Sequence, residues 1–112
     1  MAVGLRAQVK SSPINVTAIG DNTIVAAVAG KLITVVGLLL INGVATAQNV
    51  TIKDDGAIVL AGPMALSTAG SPLFMPERPD FEYFSTSNPA NNLILNLSAA
   101  TQVGGVVWYA QW

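Results

Sequence analysis

The longest uninterrupted apolar stretch covers residues 32–41, LITVVGLLLI, and closes on Asn42-Gly43. Apolar positions that run consecutively rather than alternating mark a strand buried on both faces, and Asn-Gly is the strongest short signal for a hairpin. Residues 47–54, AQNVTIKD, then alternate, with Ala47, Asn49, Thr51 and Lys53 on one face and Gln48, Val50, Ile52 and Asp54 on the other. Asp54-Asp55-Gly56 supplies a second turn, residues 57–60 a strand, Gly62-Pro63 a break, residues 64–66 a short extended piece, and residues 67–71 a turn of small residues. Upstream, Asp21-Asn22 reads as a turn, residues 23–27 as a short strand and Ala29-Gly30-Lys31 as a connection. Downstream, residues 92–97 set Leu93, Leu95 and Leu97 against Asn92, Ile94 and Asn96, and residues 104–111 form the final strand. Breaks recur about every dozen residues and no long helical period appears. The pattern predicts an all-β, single-domain antiparallel β-sandwich of about eight to ten strands.

Between these strands the composition shifts. Residues 75–84, MPERPDFEYF, hold four of the eleven charges and three of the seven aromatic residues. Pro76 and Pro79 lack ladder donors, so this segment reads as a rigid projecting loop up to Asp80, followed by a strand over residues 81–85. Residues 1–12 read as an N-terminal arm and residues 13–112 as the sandwich domain; no repeat of fixed period is present.

Composition sharpens the picture. Of 112 residues, 52% are hydrophobic and only 10% charged, with a mean hydropathy of +0.56, against about a quarter charged in an average globular chain. Some apolar surface is therefore covered by a bilayer, a partner or copies of the chain itself. Residues 24–41 approach the length of a membrane span, but Lys31 near the middle would cost about 2.5–3.5 kcal/mol, and Gly30, Gly37 and the β-branched residues suit strands. Residues 1–12 carry Arg6 and Lys10 with no apolar run before Ser11-Ser12-Pro13, which is not a signal-peptide pattern. Self-association is the preferred host, with Leu32, Val36, Leu38, Leu40, Trp108 and Trp112 as the expected subunit interface.

Candidate chemistry is sparse. With no cysteine and no histidine, thiol and Ser-His-Asp catalysis are excluded and nitrogen- or thiolate-rich metal sites are disfavoured. A net charge of -1 leaves no footprint for nucleic acid or anionic lipid. Asp54-Asp55-Gly56 is turn chemistry before it is an acid/base pair, and an oxygen cage of Glu77, Asp80 and Glu82 lacks the spacing of a calcium loop. Asn15, Asn49 and Asn96 head glycosylation sequons, which matter only in a secretory route. Gly104-Gly105 lacks the lysine and helix of a phosphate cradle. Trp108, Tyr109 and Trp112 with Phe81, Tyr83 and Phe84 are core or interface residues first, and a sugar-stacking platform second. No enzyme activity and no cofactor are expected.

From Lys31 onward the order KLITVVGLLL, NVTIKDDG, IVLAGPMALSTAGSPLFMP and NNLILNLSAATQVGGVVWY resembles a family of small phage virion proteins of the capsid decoration, or cement, type. Where related sequences carry a Pro-Asn-Pro type loop before an aromatic residue, this chain has Pro76-Glu77-Arg78-Pro79-Asp80. The resemblance implies a jelly-roll-like sandwich, usually a homotrimer, that binds the major capsid protein on the exterior of the virion. Arg6, Lys10, Glu77, Arg78, Asp80 and Glu82 are the expected capsid contacts, and no nucleic acid or membrane partner is implied. The rival from another class is a receptor- or glycan-binding module of a tail fibre that uses the aromatic residues near the C-terminus.

Overall fold

Alternation carries straight into the core: Leu93, Leu95, Leu97, Val50 and Ile52 are at most 1% exposed, while Asn96, Thr51 and Lys53 between them are only partly covered. A computed structural model describes residues 9–55, 58–66, 72–78 and 81–112. Among these the chain forms nine strands and no helix: β1 (Lys10–Val16), β2 (Gly20–Val25), β3 (Ile33–Asn42), β4 (Gln48–Asp54), β5 (Val59–Leu66), β6 (Pro72–Met75), β7 (Phe84–Ser85), β8 (Leu93–Leu97) and β9 (Val103–Gln111). They pair antiparallel in two sheets. The front sheet has the order β1-β9-β3-β6, with β7 also on β3, and the back sheet has the order β2-β8-β4-β5. Ile14, Ile33, Val35, Leu38, Leu40, Val103 and Val107 of the front sheet meet Val50, Ile52 and the three leucines of β8 in one core. The protein is an antiparallel β-sandwich, and burial of each such side chain contributes roughly 1.5–3 kcal/mol.

Several local expectations change. Asn42-Gly43 does not close a hairpin, because β3 and β4 lie in different sheets. Asn42 is instead buried; its amide donates to the Thr46 carbonyl at 2.7 Å and its oxygen accepts from Val44 N–H at 3.2 Å, shaping the crossover. Gly62-Pro63 does not end a strand either. The bond is cis, and β5 runs through it as an edge strand with shifted register, where a missing donor is tolerated. Asp21 and Asn22 lie within β2 rather than in a turn. The turn after Asp54 does join consecutive partners, β4 and β5.

The arm is shorter than expected, since Lys10, Ser11 and Ser12 already belong to β1 and pair with Tyr109, Trp108 and Val107. As an edge strand β1 buries only Ile14 fully, so the apolar alternation that would announce it is absent. The described parts of the charged segment, residues 76–78 and 81–83, also depart from expectation. They lie against β3 as a strap instead of projecting: Arg78 N–H donates to the Val36 carbonyl at 2.8 Å and Tyr83 N–H to the Val35 carbonyl at 2.9 Å. The Tyr83 hydroxyl then ties back to the Pro76 carbonyl at 2.9 Å.

Buried polar groups fix the loops. Gln48 donates to the Ala99 carbonyl and to Thr101 Oγ1, and accepts from Ala99 N–H and Ser98 Oγ, at 2.7–3.0 Å. Asp54 accepts from Ser87 N–H at 2.8 Å, from the Ser87 hydroxyl, and from Asn91 Nδ2 at 3.3 Å. Next to it, Asp55 accepts from Asn92 Nδ2 at 2.8 Å. The two aspartates of the turn thus clamp residues 87–92 against the end of β4.

Candidate functional site

The doubly apolar strand β3 owes its pattern to a bulge. Val35 pairs with Tyr109 and Gly37 with Trp108, leaving Val36 as the extra residue. A bulge reverses which alternate positions face the core, so Ile33 and Val35 before it and Leu38 and Leu40 after it all point inward. Leu38 and Leu40, expected at a subunit interface, are core residues at most 1% exposed. Val36 faces the other way but is equally inaccessible, because Ala110, Trp108 and Val9 pack against it. The strap crosses beside it so closely that a Cβ on Gly37 would lie 2.7 Å from Glu77 Cα. Gly37 is required by that approach.

Beyond the strap, the outward positions of β3 are Leu39 and Ile41. Leu39 lies between Val106 of β9 and Phe74 of β6, and Val106 lies beside Pro13 of β1. Directly opposed residues of antiparallel strands share a face. Pro13, Val106, Leu39 and Phe74 therefore form an apolar row across β1, β9, β3 and β6, four of the five strands of the front sheet. Ile41 and Pro72 extend it in the next row. Phe74 is 56% exposed, and the outward positions of β1, β9, β3 and β6 carry no charge.

The back sheet is different. Its outward positions include Asp21, Thr23, Asn96, Thr51 and Lys53, with Lys53 3.3 Å from Asp21 and Asn96 Nδ2 donating to Asp21 at 2.6 Å. The Asn96 bond above all, helped by Lys53 as donor and as charge, holds the Asp21 carboxyl below its ordinary value against the opposing effect of burial. A depressed folded-state value gives stability that is present above the unfolded value, about pH 4, and is lost as pH falls through the folded one. The side chain is 51% exposed, so solvent screens the gain. Asp21→Asn is expected to lower the unfolding free energy by no more than about 0.5 kcal/mol near neutral pH, with the difference vanishing in urea titrations at about pH 2.

The other expected site residues fall in two places. Glu77, Arg78 and Glu82 lie on or beside the strap. The Arg78 guanidinium stands 5.1 Å from the centre of the Phe81 ring, which meets Tyr83 edge-on at 5.0 Å. Glu82 accepts from the Ser85 hydroxyl at 3.4 Å. Lys10 and Trp112 meet instead in a depression at one end of the sandwich, with Lys31 and Gln111. Leu32 is held beside Trp112 by two backbone bonds of 3.0 and 3.1 Å, and Trp108 is half-buried on the front face. Arg6 and Asp80 lie outside the described residues, so the cage of Glu77, Asp80 and Glu82 does too in part.

The structure thus sets the charged strap and the apolar row end to end on one face. Of the residues expected at a subunit interface, Leu38 and Leu40 lie in the core, and the outward Leu39, Ile41, Phe74 and Val106 are not among those the sequence singled out. The available signal was Gly37, since a glycine inside a strand marks a bulge or a close approach. Compared with known protein families, curated proteins and solved structures, the chain matches none.

Proposed function

We propose that the chain is a non-enzymatic structural subunit of a phage virion, a capsid decoration protein whose copies associate through the outer face of the front sheet. The observation that carries this reading is the uncharged row of Pro13, Val106, Leu39 and Phe74 on one sheet, opposite an outer face on the other where Asp21, Lys53, Asn96 and Thr51 lie among Ile94 and Val59. An apolar face of this kind marks an interaction surface. Around a threefold axis the front sheets of three copies converge, each meeting two neighbours, in a closed arrangement. The strap, with Glu77 and Arg78 exposed at its surface, then rims the interface and is free to meet the major capsid protein together with the N-terminal segment. Binding only to the assembled shell stabilises it by linkage. The resemblance of the segments from Lys31 onward supports the jelly-roll type and the virion setting.

The test is the molar mass in solution by light scattering across a range of concentrations, followed by co-sedimentation with shells of the cognate major capsid protein. The wild-type chain is expected at three times 11.5 kDa and to pellet with shells. The Leu39→Lys/Phe74→Lys variant is expected as a monomer that keeps its β-sheet circular dichroism, because both side chains lie outside the core. A wild-type monomer at every concentration, or an unaltered mass in the double variant, would overturn the interface. A trimer that never pellets with shells would overturn the virion role.

A further inference from the structure

We propose that the depression at the end of the sandwich is a binding site for an acidic sugar, independent of the association through the front sheet. It is an open hollow of about 450 Å3 lined by Lys10, Lys31, Gln111 and Trp112. Its walls are set by the backbone. Lys10 opens β1 opposite Tyr109, Gln111 closes β9 opposite Ile33, and Lys31 and Trp112 flank the paired backbone of Leu32.

Each wall residue offers a distinct function. Lys10 and Lys31 are two of the chain's five basic residues, and neither has an ion pair among the described residues. In a chain of net charge -1, two ammonium groups at one hollow, without a carboxylate partner among the described residues, select an anion. Trp112 is 39% exposed, and its indole N–H donates to Thr34 Oγ1 at 2.8 Å, which fixes the ring beside the hollow as an apolar platform. Gln111 commits its amide N–H to the Ala26 carbonyl at 2.9 Å, so its oxygen is the acceptor left for a ligand hydroxyl. A carboxylate, hydroxyls and an apolar C–H face occur together in a uronic acid. Inorganic anions have no use for the indole, and neutral sugars bring no charge to match that of the lysines.

The test is a titration of the full-length protein with glucuronate, glucose and sulfate, followed through the indole N–H signal of Trp112 by two-dimensional NMR. Glucuronate is expected to shift that signal saturably, with affinity at least tenfold above either control, and Lys10→Ala/Lys31→Ala is expected to abolish the shift while the rest of the spectrum persists. No response to glucuronate, an equal response to sulfate, or a response that survives loss of both lysines would overturn the assignment. Because Leu39 and Phe74 lie elsewhere, Leu39→Lys/Phe74→Lys should bind glucuronate unchanged, which separates this site from the proposed interface.

Discussion

Replacing Gly105 with alanine is expected to destabilise the protein by roughly 3–5 kcal/mol, enough to unfold much of the population of an average domain. Gly105 sits in β9 between Ile14 of β1 and Leu40 of β3 with φ at +151°. A Cβ there would overlap the Leu39 carbonyl oxygen and come within 3.2 Å of Leu40 Cα. The obstacle is backbone in the middle of the front sheet, so relief requires parting β9 from β3. The neighbouring Gly104 supplies the control, since its Cβ would meet only the movable end of Gln102 at 3.1 Å and the Ile14 carbonyl at 3.6 Å. Urea titrations followed by tryptophan fluorescence should show a loss for Gly104→Ala below about 1 kcal/mol. Equal losses at the two positions would refute the steric account.

Asp54→Ala is expected to cost about 2–4 kcal/mol. The fully buried carboxylate receives Ser87 N–H, the Ser87 hydroxyl and Asn91 Nδ2, and alanine leaves these donors facing a void. Asp54→Asn retains an oxygen of the same shape and should recover a substantial part of the loss. Hydrogen exchange at Ser87 and Asn92 should accelerate in the alanine variant before the β8 amides respond, because Asp54 and Asp55 hold the segment that leads into β8. Uniform acceleration over the whole chain would argue against a local clamp.

Much of this was readable where one face is buried and one wet. β4 and β8 announce themselves by Val50 and Ile52, and by Leu93, Leu95 and Leu97, with polar residues between. β1 was hidden because an edge strand needs few inward apolar residues, and Ser11, Ser12 and Pro13 look like a tail. β6 was hidden because four residues, PLFM, are too few to show a period. That omission concealed Phe74, and with it the candidate face. The misplacement of Leu38 and Leu40 has a different cause: a parity count along residues 32–41 is valid only without an inserted residue, and Val36 is that residue. The turn aspartates were recognised for their local role, but their reach to residues 87–92 is a tertiary fact that no spacing encodes.

The strand order bears on how the chain reaches this state. β4 and β5 are the only consecutive strands that pair among the described residues. β9 is the central partner, flanked by β1 and β3. Residues 103–111 must therefore emerge before β1 has any ladder to join, and the loop closed by that pairing spans nearly the whole domain. Such remote pairing places the chain among slow folders, on the order of milliseconds to seconds. In that interval the chain has only the β4–β5 hairpin as local shelter, and the unsatisfied edge of β3, with Leu39 already outward, is open to the same segment of another molecule. In the proposed assembly, copies that met before β9 was in place would pair through an unfinished sheet, so completion of β9 would set the earliest point at which the outer face of the front sheet exists to be shared.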